Sequence, residues 1–159
     1  MSGLEPGQTL QPGHSLYSEN GKYSLWMQTD GNVVLYYGHD PDDPNFAPND
    51  AHWATHTGPG QFTPSGLIMQ TDGNLVLYDT SNQARWASGT ANHPGAHLNM
   101  QDDGNAVVYP AGAVTDNALW ATNTVDQTSW SGFGGFIPTD LGDEDGDEEE
   151  AGESAPDRR

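Results

Sequence analysis

A ten-residue segment occurs three times in this chain of 159 residues, and this repetition restricts the fold more than any other feature. The copies are MQTDGNVVLY at 27–36, MQTDGNLVLY at 69–78 and MQDDGNAVVY at 100–109. Each copy is followed by Trp-Ala and then Ser or Thr, at 53–55, 86–88 and 120–122. Short repeats of this kind cannot each bury an apolar face alone, so the three copies are expected to pack against one another.

The centre of each copy predicts a β-hairpin. Asp-Gly between two runs of alternating apolar residues is a strong hairpin signal, because Gly adopts positive φ without steric cost. In the first copy we expect Thr29 to pair with Val33, and Gln28 with Val34. Alternation then divides the side chains between two faces, as it would in one straight strand. One face carries Gln28, Val34 and Tyr36, and the other carries Met27, Val33 and Leu35.

The second of these faces is apolar in all three copies and predicts the core. Its members are Met27, Val33, Leu35, Met69, Leu75, Leu77, Met100, Ala106 and Val108, and we place Trp53, Trp86 and Trp120 with them. Each repeat is expected to form about four short strands closed by its Trp strand, with repeat two beginning near Gly60 and repeat three near Gly89. The predicted fold is all-β, with three such sheets packed around a pseudo-threefold axis.

Length and composition predict one folded domain over 1–138 and an acidic, disordered tail over 139–159. The tail holds ten of the 23 acidic residues and almost no large apolar side chain, so it cannot bury enough surface to fold alone. Only four basic residues oppose those acids, for a net charge of −19, which argues against nucleic-acid binding. No run of about 18 apolar residues exists, so membrane insertion is not expected.

The repeated pattern Gln-x-Asp-x-Asn-x-Val-x-Tyr resembles the mannose-binding motif of the bulb-type (monocot) lectins. The resemblance covers about Leu4 to Thr124 and includes the leader Pro12-Gly13-His14-Ser15-Leu16 and the Trp-Ala-Ser/Thr strands. It implies the β-prism II fold, with three four-stranded antiparallel sheets and a mannose site on each. It also implies no metal or other cofactor and no catalysis. Members from plants usually carry a disulfide within the domain, whereas this chain has no cysteine.

The resemblance assigns one set of carbohydrate ligands to each repeat. Site one is Gln28, Asp30, Asn32, Val34 and Tyr36; site two is Gln70, Asp72, Asn74, Val76 and Tyr78; site three is Gln101, Asp103, Asn105, Val107 and Tyr109. In the family, Asp and Asn hold the axial 2-hydroxyl of mannose, Gln reaches the 3-hydroxyl, Tyr takes the 4-hydroxyl, and Val packs on ring carbons. Mixed donors and acceptors suit a neutral sugar on chemical grounds as well.

Two other interpretations compete with the lectin hypothesis. Gln, Asp and Asn could merely cap the hairpin turns of a structural or protein-interaction module that has lost sugar binding. A secreted toxin or defence protein could also use mannose recognition as its targeting step. Site two is expected to be the most open, because an insertion at 38–52 lies beside site one and Pro110 follows Tyr109. The His and Asp residues of that insertion lack metal-ligand spacing and predict a solvated loop.

The two ends of the chain lead to further expectations. Residues 1–13 show neither a basic start nor an apolar run, so no signal peptide is expected, and the predicted location is cytoplasmic or reached by leaderless export. After the last repeat come Trp130, Phe133 and Phe136, which complete no repeat of their own. In the family this segment often crosses to a partner subunit, so exchange of residues 123–137 between two chains would make a homodimer.

Overall fold

The computed structural model describes residues 1–37, 51–112 and 117–125, and these residues form strands, turns and irregular connections. The described strands are β1 (Gly3–Leu4), β2 (Thr9–Leu10), β3 (His14–Tyr17), β4 (Tyr23–Met27), β5 (Val33–Tyr37), β6 (Ala51–Ala54), β7 (Pro64–Met69), β8 (Leu75–Asp79), β9 (Ala84–Ala87), β10 (His97–Met100), β11 (Ala106–Tyr109) and β12 (Trp120–Ala121). No helix in these ranges could span a membrane. Met1–Thr124 forms one compact unit. The predicted boundary at 138 and the acidic tail lie outside the described residues.

The strands form three four-stranded antiparallel sheets, which confirms the predicted all-β, three-sheet fold. Sheet 1 has the order β3-β4-β5-β6, sheet 2 the order β2-β7-β8-β9, and sheet 3 the order β1-β10-β11-β12. Repeats two and three therefore supply only three strands each, which corrects the expectation of four. Their missing edge strands come from the N-terminal leader, where Thr9–Leu10 completes sheet 2 and Gly3–Leu4 completes sheet 3.

The inner faces of the sheets form one core, as the repeated pattern predicts. The nine predicted core residues of the hairpins are all buried, with at most 2% of any side chain exposed. One leucine from each leader strand, namely Leu4, Leu10 and Leu16, is buried with them. The three tryptophans pack against this core but stay partly exposed. Their rings meet edge to face in a triangle with centroid separations of 5.3 to 5.7 Å.

The hairpins adopt a register two residues away from the expected one. Met27 pairs with Val33 and Trp26 with Val34, so the predicted pairing of Thr29 with Val33 is wrong. The turn is longer than the expected one. Its Gly31 N–H donates to the Gln28 carbonyl and Gly31 adopts a φ of +95°, and both features are typical of a three-residue hairpin loop. A shift of two residues preserves the alternation of side chains. The predicted division between the faces is therefore confirmed.

Candidate binding sites

The motif residues of each repeat lie together on the outward face of a hairpin. Gln, Asp and Asn occupy the turn and its flanks, while Val and Tyr follow on the second strand, which is β5, β8 or β11. The motif valines are almost covered even on this outer face, with 4%, 2% and 2% of their surfaces exposed at Val34, Val76 and Val107. Each site therefore consists of polar side chains grouped around a valine that is almost covered.

Tyr and Gln of the motif form a side-chain pair in every repeat. The Tyr36 hydroxyl donates to Gln28 Oε1 at 3.0 Å, and the Tyr78 hydroxyl donates to Gln70 Oε1 at 2.5 Å. Tyr109 donates to Gln101 in the same way. Burial, and then the charge of Asp30, raises the pKa of Tyr36, so this hydroxyl stays protonated at neutral pH. Because the pair occupies the amide oxygen of Gln, each Gln presents its Nε2 donor group.

Sites two and three differ from site one in the direction of that amide. Gln70 Nε2 lies 3.1 and 3.3 Å from the two carboxylate oxygens of Asp72, and Gln101 Nε2 lies 3.2 and 3.3 Å from those of Asp103. In the described part of the chain, Gln28 makes no such bond to Asp30. The polar groups of sites two and three are therefore pre-organised by one more interaction than those of site one.

The motif aspartate closes the hairpin turn with one oxygen. Oδ1 accepts the backbone N–H of the motif Asn at 2.9 Å in sites one and two and at 3.0 Å in site three. At Asp72 this backbone bond, followed by the Gln70 side chain, holds the pKa of the carboxyl below its ordinary value. Asp72 is thus a carboxylate at neutral pH, and such a group can only accept hydrogen bonds.

The motif asparagine is fixed by the segment that follows the Trp strand. Asn74 Oδ1 accepts the N–H groups of Gly89 and Thr90 at 3.0 and 3.1 Å, and the Ser88 hydroxyl at 3.3 Å. Asn32 and Asn105 repeat this arrangement with Thr55 and Thr57, and with Thr122 and Thr124. Backbone N–H groups only donate, so the amide oxygen must face them and both Nδ2 hydrogens point away. No acceptor within the described ranges takes those hydrogens.

A second hydroxyl in each repeat was missed by the motif analysis. Thr57, Thr90 and Thr124 each donate to the carbonyl of the turn glycine, at 2.5 to 2.6 Å, and each contacts the hydroxyl two residues earlier at 2.7 Å. The residue between the two hydroxyls has positive φ in all three repeats, at His56, Gly89 and Asn123. The signal was present in the sequence, because Trp-Ala-Ser/Thr extends to Trp-Ala-Ser/Thr-x-Thr in every copy.

The capping interpretation describes part of this arrangement. Asp72 Oδ1 and Asn74 Oδ1 do close the turn and hold the following loop. The capping interpretation does not account for the Asn Nδ2 donors, the second Asp oxygen or the Gln–Tyr pair, because none of these groups caps the turn. Each site therefore presents donors and an anionic acceptor, which together match a neutral, polyhydroxylated ligand. Among the described residues no group of three or more His, Asp or Glu side chains could hold a metal ion. The insertion residues 38–50 lie outside them.

Sequence similarity to known proteins shows which family this chain belongs to. The chain is 42% identical to a mannose-specific lectin of Narcissus pseudonarcissus over 106 residues, which make up 67% of this chain and 57% of the length of that lectin. The chain belongs to the bulb-type mannose-binding lectin family. No family model matches it.

Solved structures agree with this membership. A monomeric monocot mannose-binding lectin from Gastrodia elata is 38% identical and superposes with a TM-score of 0.63, covering 79% of this chain and all of its own. The agglutinin of snowdrop (Galanthus nivalis) bulbs, solved with methyl-α-D-mannoside, is 36% identical with a TM-score of 0.60, covering 73% of this chain and 95% of its own. The predicted family and the β-prism II fold are therefore confirmed, whereas the fifteen assigned ligands remain predictions.

Proposed function

We propose that this chain binds α-mannose, or glycans that end in mannose, reversibly and without catalysis at three hairpin sites. The observation that carries the proposal is the orientation of the side-chain amide of the motif Asn in every repeat. Its amide oxygen is held by the following loop, so both Nδ2 hydrogens point away from that loop, in the same motif as an Asp whose second oxygen does not take part in closing the turn. An amide donor and a carboxylate acceptor from one hairpin turn can together serve a sugar hydroxyl in both of its roles. The relatives described above are named for mannose.

Each site alone should bind weakly. Four or five hydrogen bonds contribute about 1 kcal/mol net each, and the cost of association offsets part of that gain, so the expected Kd is roughly 1 mM or weaker. The three sites lie on three different sheets of one compact unit. Strong attachment would therefore require a branched glycan or a surface that engages several sites together.

The test is a titration of the ¹⁵N-labelled full chain with methyl α-mannoside, followed by NMR. The backbone signals of Gly31, Gly73 and Gly104 report on sites one, two and three separately. We expect all three to shift and saturate at about tens of millimolar sugar. Methyl α-glucoside, in which the 2-hydroxyl is equatorial, should produce much smaller shifts.

One substitution removes the proposed sugar contact and keeps the hydrogen bonds that hold the loop. Asn74→Asp keeps the oxygen that accepts from Gly89 and Thr90 but removes both amide hydrogens, so the Gly73 response should disappear while those of Gly31 and Gly104 persist. Asn82→Asp, at an exposed turn outside the motif, is the matched control and should change none of them. Saturable responses at no site in the folded wild type would contradict the proposal.

That negative result would favour the alternative function, a structural or protein-interaction module. The observation that supports this alternative is the capping role of Asp72 and Asn74. Those two residues would then be retained to hold the turn and the following loop, and the Gln–Tyr pair would only stiffen the outer face.

We also propose a homodimer formed by exchange of residues 123–137. The support is the family resemblance and the aromatic residues after the last repeat; residues 126–137 lie outside the described part of the chain. Each of the three sheets already has four described strands from a single chain. The exchanged segment would therefore be added to sheets that have their four strands without it. Light scattering on the full chain should give twice the chain mass of 17.0 kDa, and the monomer mass at micromolar concentration would overturn the proposal.

A further inference from the structure

The three sites share a motif but differ in the residue that lies opposite the motif valine on the neighbouring strand. Trp26 pairs with Val34 in sheet 1, Ile68 with Val76 in sheet 2, and Asn99 with Val107 in sheet 3. Residues paired across a strand point to the same side of a sheet, so each lies on the outward face beside its site. The neighbour is aromatic at site one, aliphatic at site two and polar at site three.

The space around Asn99 is also left open by its other neighbour. Asn99 pairs with Gly3 on the leader strand β1, whereas Ile68 pairs with Thr9 and Trp26 with Ser15. A Cβ placed on Gly3 would lie 3.0 Å from Asn99 Oδ1 and 2.2 Å from the Leu98 carbonyl oxygen. The glycine thus permits a close approach of the two strands and adds no side chain to the outer face.

A depression of about 410 Å³ opens at this place. Its lining includes Ser2, Glu19, Asn99, Gln101, Asp102 and Tyr109. Two of these, Gln101 and Tyr109, are ligands assigned to site three, so the depression continues directly from that site. Its volume lies within the range of about 300–1,000 Å³ that small-molecule sites occupy.

The far wall of the depression is held by hydrogen bonds between two repeats. Asn20 donates its backbone N–H to Asp102 Oδ1 at 2.9 Å and its side-chain amide to the Asp102 carbonyl at 3.1 Å. These bonds fix the turn between β3 and β4, and therefore Glu19, against the hairpin turn of repeat three. Thr29 and Thr71 stand where Asp102 stands, so neither of the other turns offers a carboxylate at this position.

The chemistry of the lining suits a second sugar. Glu19 and the second oxygen of Asp102 are acceptors, Asn99 offers both a donor and an acceptor, and the Ser2 hydroxyl can act as either. Sugar hydroxyls supply the donors that two carboxylates require, and they do so without a charge. We infer that this depression is a subsite for the penultimate hexose of a mannose-terminated glycan, with Asn99 as its specificity-determining residue. The inference rests on the proposed function of site three.

The experiment compares methyl α-mannoside with α1,2-, α1,3- and α1,6-mannobiose, using the Gly104 signal of the labelled full chain. At least one mannobiose should bind site three roughly tenfold more tightly than the monosaccharide, because one or two further hydrogen bonds form. The Gly73 signal provides the internal comparison, since site two has Ile68 in place of Asn99. At site two, the affinity of the same mannobiose should exceed that of methyl α-mannoside by a much smaller factor.

Two variants assign that preference to the lining. In Asn99→Ile, which copies the residue of repeat two, the ratio of mannobiose to methyl α-mannoside affinity at site three should fall to about one. Glu19→Ala changes an exposed side chain outside the sheet and should lower the same ratio about threefold, so the test survives if Asn99→Ile does not fold. A ratio that keeps its wild-type value in both folded variants overturns the inference.

The outcomes distinguish the subsite from the function on which it rests. If wild-type site three binds methyl α-mannoside but none of the mannobioses more tightly, the subsite is absent and the lectin function stands. If no sugar shifts any of the three glycine signals, the proposed function itself fails. Equal losses of monosaccharide and disaccharide affinity in Asn99→Ile would make Asn99 a support of the primary site, which also overturns its role in specificity.

Discussion

At the scale of single residues, the Asp and Asn of the motif each use one atom to hold the turn or the following loop and another to face the outer surface. The oxygen of Asn74 holds the loop at Gly89 and Thr90, while its amide hydrogens point away. One oxygen of Asp72 closes the turn, while the other can accept from Gln70 or from a ligand. Alanine at either position would disturb the turn and the binding surface together, so substitutions that retain one of the two groups are more informative.

Asp79, directly after the motif of repeat two, is a buried carboxylate with an entirely structural set of partners. Its oxygens accept the N–H groups of Ser81 and Gln83 at 2.8 and 2.9 Å and the Arg85 Nε–H at 2.8 Å. The Gln83 backbone bond, with smaller contributions from Arg85 and Ser81, lowers the pKa of Asp79. A pKa lowered by folding stabilises the native state above the unfolded pKa of about 3.9 and loses that effect as the pH falls through the folded value.

We therefore expect the melting temperature of the wild type to exceed that of Asp79→Asn at pH 7. The difference should begin to narrow near the unfolded pKa of about 3.9 and should continue to narrow as the pH falls through the lower folded pKa, where the native carboxyl also becomes protonated. Calorimetric melting curves of both proteins at several pH values provide the measurement. A difference that stays constant from pH 7 down to about pH 2 would show that the charge of Asp79 contributes no stability.

At the scale of elements, the hairpin turns of repeats one and two are also packing surfaces for the chain that leaves each repeat. The Asp30 carbonyl accepts the Gly60 N–H at 3.1 Å, and the Asp72 carbonyl accepts the His93 N–H at 2.9 Å. The turn glycine lies below these contacts: a Cβ on Gly73 would lie 2.2 Å from the His93 carbonyl oxygen. Glycine is required there for close approach as well as for its φ of +96°.

Gly73→Ala should accordingly destabilise the protein by about 3 kcal/mol or more, because backbone atoms must move to relieve the contact. Gly89→Ala is the matched control. Gly89 also has positive φ, at +76°, but a Cβ there meets nothing within 4 Å, so we expect a cost of only about 1–2 kcal/mol. Urea unfolding of both variants measures the two free energies. Equal costs would mean that the contact with His93 relaxes freely.

At the scale of the whole molecule, the first seventeen residues connect the three sheets. The leader passes through β1, β2 and β3, and these strands lie at the edges of sheets 3, 2 and 1 in turn. Only two residues of each of the first two strands pair with their sheets, yet each places one leucine in the core. The N-terminal leader thus links repeats that are distant from it in sequence.

Leu10→Ala tests this contribution. Leu10 is 3% exposed and lies in the shared core, so its truncation should cost about 2–5 kcal/mol in the free energy of unfolding. The adjacent exposed residue provides the control, and Gln11→Ala should change that free energy by less than about 0.5 kcal/mol. Urea denaturation monitored by tryptophan fluorescence measures both. A loss below about 1 kcal/mol for Leu10→Ala would mean that strand β2 contributes little to sheet 2.

The sequence by itself determined the features that depend on neighbouring residues. Alternation and an Asp-Gly turn recur in three copies, and both act over a few residues, so the hairpins, their two faces and the core set could be predicted. The same repetition carried the family motif, and with it the candidate ligands. Local patterns of this kind are insensitive to a two-residue shift, which is why the faces were predicted correctly although the register was not.

Only the tertiary structure decided the features that join distant parts of the chain. Nothing in residues 3–4 or 9–10 indicates which sheet edge they complete, because a two-residue strand has no distinctive pattern and its partner is chosen by the shared core. The amide of Asn105 is oriented by Thr122 and Thr124, and the depression beside site three by Gly3 and Asn20. These contacts depend on how the repeats pack, and packing is a property of the folded molecule as a whole.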